Sequence, residues 1–187
     1  MLKRRAVFLD RDGVLNQPVV RNGKARSPRS LEDFVISPGT DDALRALREA
    51  GFLLIVATNQ PEVARGLQQQ SVVERMHDVL RTALPLDDIL VCYHDEGQSC
   101  SCRKPAPGLM VEAAAKWGIE LEESYMIGDR WKDIEAGHRA GCKSILLVRS
   151  YDQGDPDRAD FCAQSVSEAA AWILGRRDEL PGSRHSG

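Results

Sequence analysis

The sequence predicts an α/β fold: an open, doubly wound, Rossmann-like parallel sheet with helices on both faces. Two observations lead there. Short apolar runs alternate with segments of helical periodicity, and the residues able to do chemistry cluster just after the apolar runs. In a doubly wound sheet those positions are the carboxyl ends of strands, where ligands bind.

Strands are predicted at 6–9, 52–57, 89–93, 124–127 and 144–148. Each is continuously apolar rather than alternating, as expected of parallel strands covered on both faces. A helix over 40–50 places Ala43, Leu44, Leu47 and Ala50 on one face, with Thr40 as its N-cap and Gly51 as its stop. Further helices are predicted at 70–83, 108–117, 134–140 and 165–174. Residues 16–37 carry Pro18, Gly23 and Pro28 and read as a loop or short hairpin. Residues 176–187 read as a flexible tail, which leaves 1–175 as a single domain. No insertion is long enough for a large cap domain, so the site should be open, with specificity carried by 16–37 and by a metal-bound loop.

The formal net charge of −3, with acids and bases interspersed, lacks the basic face of a nucleic-acid binder. A small molecule is the expected partner. The start, Met1-Leu2-Lys3-Arg4-Arg5, runs into an apolar stretch too short for a signal peptide, and no run approaches membrane-spanning length. A cytoplasmic protein, monomeric by default, is expected. Of the five cysteines, Cys142 and Cys162 stand apart and read as small buried hydrophobes.

The first strand ends in Phe8-Leu9-Asp10-Arg11-Asp12-Gly13, two carboxylates that can face one hard cation such as Mg²⁺. The bland alternative is a polar strand end. The second ends in Ala57-Thr58-Asn59-Gln60, a set of phosphate-binding donors or else a turn. Lys104, set before Pro105, could neutralise phosphate charge, and Gly128-Asp129 with Asp133 could complete a metal site or cap a helix. Cys92-Tyr93-His94 and Cys100-Ser101-Cys102 supply enough soft ligands for a closed, structural Cys₃His zinc site that folds the loop feeding Arg103 and Lys104 into the centre.

Taken in order, Asp-x-Asp, Thr, Lys and Gly-Asp-x-x-x-Asp each follow a predicted strand or its adjoining segment, and at this point the chain resembles the haloacid dehalogenase phosphatases over roughly residues 6 to 150. The resemblance implies Asp10 as nucleophile, Asp12 as acid and base, and Thr58 and Lys104 as holders of the phosphoryl oxygens. It implies Mg²⁺ on the Asp10 carboxylate, the Asp12 carbonyl and Asp129, with Asp133 in support. Asn59 and Gln60 are expected to bind substrate.

Within that superfamily the Cys-x-His…Cys-x-Cys-Arg-Lys-Pro pattern is similar to heptose-bisphosphate phosphatases and to histidinol-phosphate phosphatase domains. Pro61-Glu62-Val63-Ala64-Arg65-Gly66 is closer to the heptose group, which implies removal of the 7-phosphate of a heptose 1,7-bisphosphate, with Arg103 on the remote phosphate. Pro61 stands where that group has serine, and 16–37 lacks its Gly-Tyr-Val stretch. A phospho-receiver domain also gathers Asp, Thr and Lys, but in another order and with no zinc loop. A zinc-organised interaction module would not need the intact acid pair.

Overall fold

The computed structural model describes residues 3–21, 24–151 and 158–175; the tail predicted over 176–187 lies outside the described residues. Six strands, β1 (Arg5–Leu9), β4 (Phe52–Asn59), β5 (Asp88–Cys92), β6 (Tyr125–Gly128), β7 (Lys143–Leu147) and β8 (Phe161–Ala163), form one parallel sheet in the order β5-β4-β1-β6-β7-β8. The doubly wound α/β fold predicted from the alternation is borne out. From β1 the chain builds outward through β4 and β5, then returns to the other side of β1 for β6, β7 and β8. That reversal opens a crevice at the carboxyl ends of β1, β4 and β6.

The pleat sorts the side chains of β1 and β4. Val7, Leu9, Leu54 and Val56 face α1 (Thr40–Glu49), α2 (Gln70–Ala83) and α5 (Val166–Ile173), burying Leu44, Leu47, Met76, Leu80 and Ala169 in one core layer. Ala6, Phe8, Leu53 and Ile55 face α3 (Gly108–Trp117) and α4 (Trp131–Ala140), burying Leu109, Met110 and Ala136 in the other. A strand buried on both faces has no use for polar alternation, which is why the runs are continuously apolar.

The structure corrects several local expectations. Gly39, not Thr40, occupies the N-cap of α1. Helix α4 starts before residue 134 because the Asp133 carboxylate accepts the Arg130 N–H at 3.1 Å, a capping interaction invisible to apolar periodicity. Strand β8 lies outside the predicted set; its three residues make too short a run, and pairing with β7 defines it. Within 16–37 a small antiparallel hairpin forms from β2 (Val19–Arg21) and β3 (Lys24–Arg26). Cys142 is buried as expected, whereas Cys162 is only half-buried, in β8. No helix among the described residues is long and apolar enough to cross a membrane.

Candidate active site

Three strand ends converge. Asp10 directly follows β1, its N–H held by the Ile127 carbonyl of β6 at 2.9 Å, and Asp129 directly follows β6. With Asp133 in the first turn of α4 they form a buried group whose carboxylate oxygens lie within 4.8 Å of one another. Lys104 is 2% exposed, and its Nζ lies 2.8 Å from Asp10 Oδ1 and 2.6 Å from Asp133 Oδ1. Burial alone would lower this lysine; the two carboxylates outweigh it and hold the ammonium above its ordinary value.

The acids respond to the same crowding. Burial pushes Asp10 up to about 6 against the pull of Lys104, with Asp133 and Asp12 adding to the rise. Asp129 is pushed up to about 8 by burial and by the charges of Asp10 and Asp133. Its Oδ2 accepts from the Tyr151 hydroxyl at 2.8 Å, while its Oδ1 is buried with no hydrogen-bond partner. An orphaned oxygen beside two further carboxylates is the oxygen-rich donor set a hard divalent cation fits. Gly13 permits this approach: its φ is +87°, and a Cβ there would fall 2.1 Å from Asp129 Oδ2.

Asp12 is in a different environment. Its Oδ1 accepts from Arg11 Nε at 3.2 Å, Arg11 Nη2 at 3.0 Å and Asn16 Nδ2 at 3.0 Å. Its Oδ2 accepts from Arg11 Nη2 at 3.0 Å, Ser27 Oγ at 2.8 Å and Gln60 Nε2 at 2.9 Å. Burial would raise this carboxyl, but the Arg11 charge and the hydrogen bonds from Gln60, Asn16 and Ser27 hold it below the usual carboxylate range. The two acids of the Asp-x-Asp motif are therefore pushed in opposite directions.

Thr58 is buried at the end of β4, with its Oγ1 accepting from Gln60 Nε2 at 3.1 Å. Asn59 clamps the Lys104 backbone: its Oδ1 accepts the Lys104 N–H and its Nδ2 donates to the Lys104 carbonyl, both at 3.1 Å. The side chains of Asn59 and Gln60, expected on substrate, are thus engaged in holding Lys104 and Asp12. Asp133, expected as support, stands in the carboxylate group itself, whereas the Asp12 carboxylate stands outside it. The sequence reading missed Asn16, Ser27 and Tyr151, whose roles depend on loop placement. It also passed over Arg11, although the residue lies inside the motif.

A cleft of about 270 Å³ opens from Asp10, Asp12 and Lys104, and Arg26, Arg65, Arg103, Arg130 and Lys132 line it. Arg103 is anchored by the His94 carbonyl at 3.0 Å and by Glu96 at 3.2 Å; Glu96 also pairs with Lys132 at 2.8 Å. Just before Arg103, the Sγ atoms of Cys92, Cys100 and Cys102 and a ring nitrogen of His94 lie within 4.8 Å of one another. Cys102 Sγ is 3.1 Å from Cys92 Sγ and 3.3 Å from His94 Nδ1, and Cys92 Sγ is 3.9 Å from Cys100 Sγ. A tetrahedron with metal–sulfur bonds of about 2.3 Å has edges of about 3.8 Å; the Cys92–Cys100 separation matches that edge and the Cys92–Cys102 separation is shorter, in a cluster whose donor types are those zinc takes.

A buried carboxylate cluster with one lysine at the carboxyl edge of a doubly wound sheet is the architecture of aspartate-based phosphoryl transfer. A family model described as HAD-hydrolase-like matches residues 101–169. The D-glycero-beta-D-manno-heptose-1,7-bisphosphate 7-phosphatase of Yersinia pestis is 35% identical over 189 aligned residues, covering 94% of this chain and 93% of that protein. The enzyme of the same name from Escherichia coli K12 is 33% identical, covering 94% and 91%. A crystal structure of D,D-heptose 1,7-bisphosphate phosphatase from B. bronchiseptica, complexed with magnesium and phosphate, superposes with a TM-score of 0.78 at 28% identity, covering 92% of this chain and 99% of that one. The chain belongs to the heptose-bisphosphate phosphatase family of the HAD-like hydrolases; its motif order implied the superfamily, and the Cys-x-His…Cys-x-Cys pattern with residues 61–66 implied the heptose group.

Proposed function

We infer that this protein is a Mg²⁺-dependent phosphomonoesterase that removes the 7-phosphate of D-glycero-D-manno-heptose 1,7-bisphosphate. The observation carrying this reading is a cleft that joins a buried acid–lysine cluster to five further basic side chains, which suits a substrate with one phosphate to react and another to hold. The family relationship supports the same substrate.

In this reading an Asp10 oxygen attacks phosphorus, forming the aspartyl-phosphate as the phosphorus bond to the sugar oxygen breaks. Asp12, ionised in the free site, takes up a proton as the anionic phosphate settles beside it and passes that proton to the sugar oxygen; it then takes one from the water that cleaves the aspartyl-phosphate, releasing inorganic phosphate and restoring Asp10. Thr58 and Lys104 hold the phosphoryl oxygens, and Arg103 binds the remote phosphate. Asp10 and Asp129, with Asp133 beside them, would hold Mg²⁺, whose charge offsets repulsion between the anionic nucleophile and the anionic ester.

Cys92, His94, Cys100 and Cys102 hold zinc in this proposal. Four protein ligands leave no position for substrate, so its role is to fix the loop that ends in Arg103 and Lys104. Ligation through reduced thiols goes with a cytoplasmic setting.

The test compares kcat/KM for heptose 1,7-bisphosphate anomers, histidinol phosphate and simple sugar monophosphates. A preference for the heptose bisphosphate is expected, and a preference for histidinol phosphate would replace this substrate. Asp10→Asn should abolish phosphate release with zinc content unchanged; turnover surviving in that variant defeats the nucleophile assignment.

A further inference from the structure

We propose that His77 is a positioning residue for Asp12, acting through Arg11; the inference rests on the reading of Asp12 as acid and base. Arg11 is the residue between the two motif acids and is 0% exposed. It grips both Asp12 oxygens, Nη2 reaching each at 3.0 Å and Nε reaching Oδ1 at 3.2 Å. A planar guanidinium held this way fixes the plane of the carboxylate it faces. What fixes the guanidinium in turn is its other end. Nη1 lies 3.3 Å from Nε2 of His77, and the Phe34 ring centroid lies 5.6 Å from its carbon.

Arginine can only donate, so His77 Nε2 must be the bare, accepting nitrogen and the ring proton must sit on Nδ1. That nitrogen makes no hydrogen bond but lies 3.5 Å from Glu74 Oε2, an electrostatic contact, and the other Glu74 oxygen accepts from the Tyr93 hydroxyl. Burial, and then the Arg11 charge, hold the His77 ring down to about 4, so it is neutral and able to accept at physiological pH. The chain of contacts runs from Tyr93 at the end of β5, through Glu74 and His77 on α2, to Arg11 and Asp12 behind β1.

A buried histidine can also be no more than a core residue. Its neighbours on the inner face of α2 argue otherwise: Val73, Met76 and Leu80 are apolar and fully buried, and an apolar side chain at 77 would avoid desolvating an imidazole. The polar ring has a counterpart in the Arg11 N–H it accepts. Without that acceptor, Arg11 can rotate and release the carboxylate orientation that proton transfer to the leaving oxygen requires.

The experiment measures kcat/KM on the Mg²⁺-loaded enzyme with two esters, heptose 1,7-bisphosphate and p-nitrophenyl phosphate. The alkoxide leaving group of the first needs a proton and the nitrophenolate of the second does not. The variants are Asp12→Asn, His77→Gln and an apolar arm, His77→Leu or, where that chain does not fold, His77→Met. The apolar variant should lose about ten- to a hundredfold on the sugar phosphate, part of the usual general-acid contribution, and less than about threefold on p-nitrophenyl phosphate. His77→Gln, whose amide oxygen can accept from Arg11, should recover most of the loss. If Asp12→Asn shows no leaving-group discrimination, the acid assignment itself fails. If Asp12→Asn discriminates while the apolar variant reduces both esters equally, or while Gln is as poor as Leu, the acid stands and the role of His77 is overturned.

Discussion

The Lys104 ammonium donates to Asp10 Oδ1 at 2.8 Å from a position 2% exposed, so the proposed nucleophile meets its countercharge inside the protein rather than in water. Removing one partner of a buried pair leaves an uncompensated charge, which costs about 3–5 kcal/mol. Lys104→Met should therefore melt well below the wild type in chelator, because Asp10, Asp129 and Asp133 then crowd together with no cation among them. Mg²⁺ should restore part of the loss, while turnover stays down by at least about a hundredfold for want of the phosphate-binding charge. Thermal melts with and without Mg²⁺ check this; a variant that melts like wild type in chelator contradicts it.

The raised acids make cation binding depend on pH. With Asp129 pushed up to about 8 and Asp10 to about 6, the cluster holds protons near neutrality that a cation must displace. The sign follows: these carboxyls titrate above their ordinary values in the metal-free protein and Mg²⁺ takes the ionised form, so affinity should climb as pH rises from 6 to 8 and level off beyond. Each linked proton is worth up to about tenfold per pH unit. Calorimetric titration in buffers of different ionisation enthalpy would show proton release on binding. An affinity flat across that range, with no proton released, would sink the expectation.

Much of this site was legible because strands announce their own ends. Asp10, Thr58 and Asp129 could be placed at one sheet edge because the short apolar runs before them, alternating with helical segments, read as buried parallel strands. Lys104 was legible through its motif, but not the clamp that holds its backbone, since the reach of Asn59 from β4 is set by how two loops pack. The same limit hid Ser27, which arrives at Asp12 from beyond the β2–β3 hairpin. His77 gave no signal at all, because a helix pattern records that a position is buried, not which polar group it meets there.

The loop that gathers Cys92, His94, Cys100 and Cys102 is packed tightly against one glycine. Gly108 N donates to the Ser101 carbonyl at 3.0 Å, and a Cβ on Gly108 would fall 2.1 Å from that oxygen and 3.0 Å from Cys102 N. Both are backbone atoms lying between Cys100 and Cys102, so neither can rotate away. Gly108→Ala should force the two thiols apart, lower stability by about 1–3 kcal/mol and speed zinc transfer to a chromophoric chelator. Turnover should fall with it, because Arg103 and Lys104 follow Cys102 directly. Gly97→Ala in the same loop, where a Cβ meets nothing within 4 Å, is the control expected to behave as wild type. Equal zinc transfer rates in the two variants would show that the close approach at Gly108 does not set the loop.

The buried imidazole should also make the fold sensitive to acid. His77 titrates near 6.5 when unfolded and is held down to about 4 in the fold, by burial first and the Arg11 charge second. Between those values the unfolded chain binds the extra proton, so the stability tied to this group is fully present above pH 6.5 and is lost as pH falls toward 4. Differential binding of one proton is worth about 1.4 kcal/mol for each pH unit crossed, so His77 should cost the wild type about 2 kcal/mol between pH 7 and 4.5. Other acids titrate in that window too, and comparison with His77→Gln cancels them, because glutamine keeps the acceptor but takes no proton. Denaturant unfolding of both proteins at the two pH values should show wild type losing more stability than the variant. Identical losses would mean that His77 takes up its proton alike in the folded and unfolded chain, which contradicts an imidazole buried against the Arg11 charge.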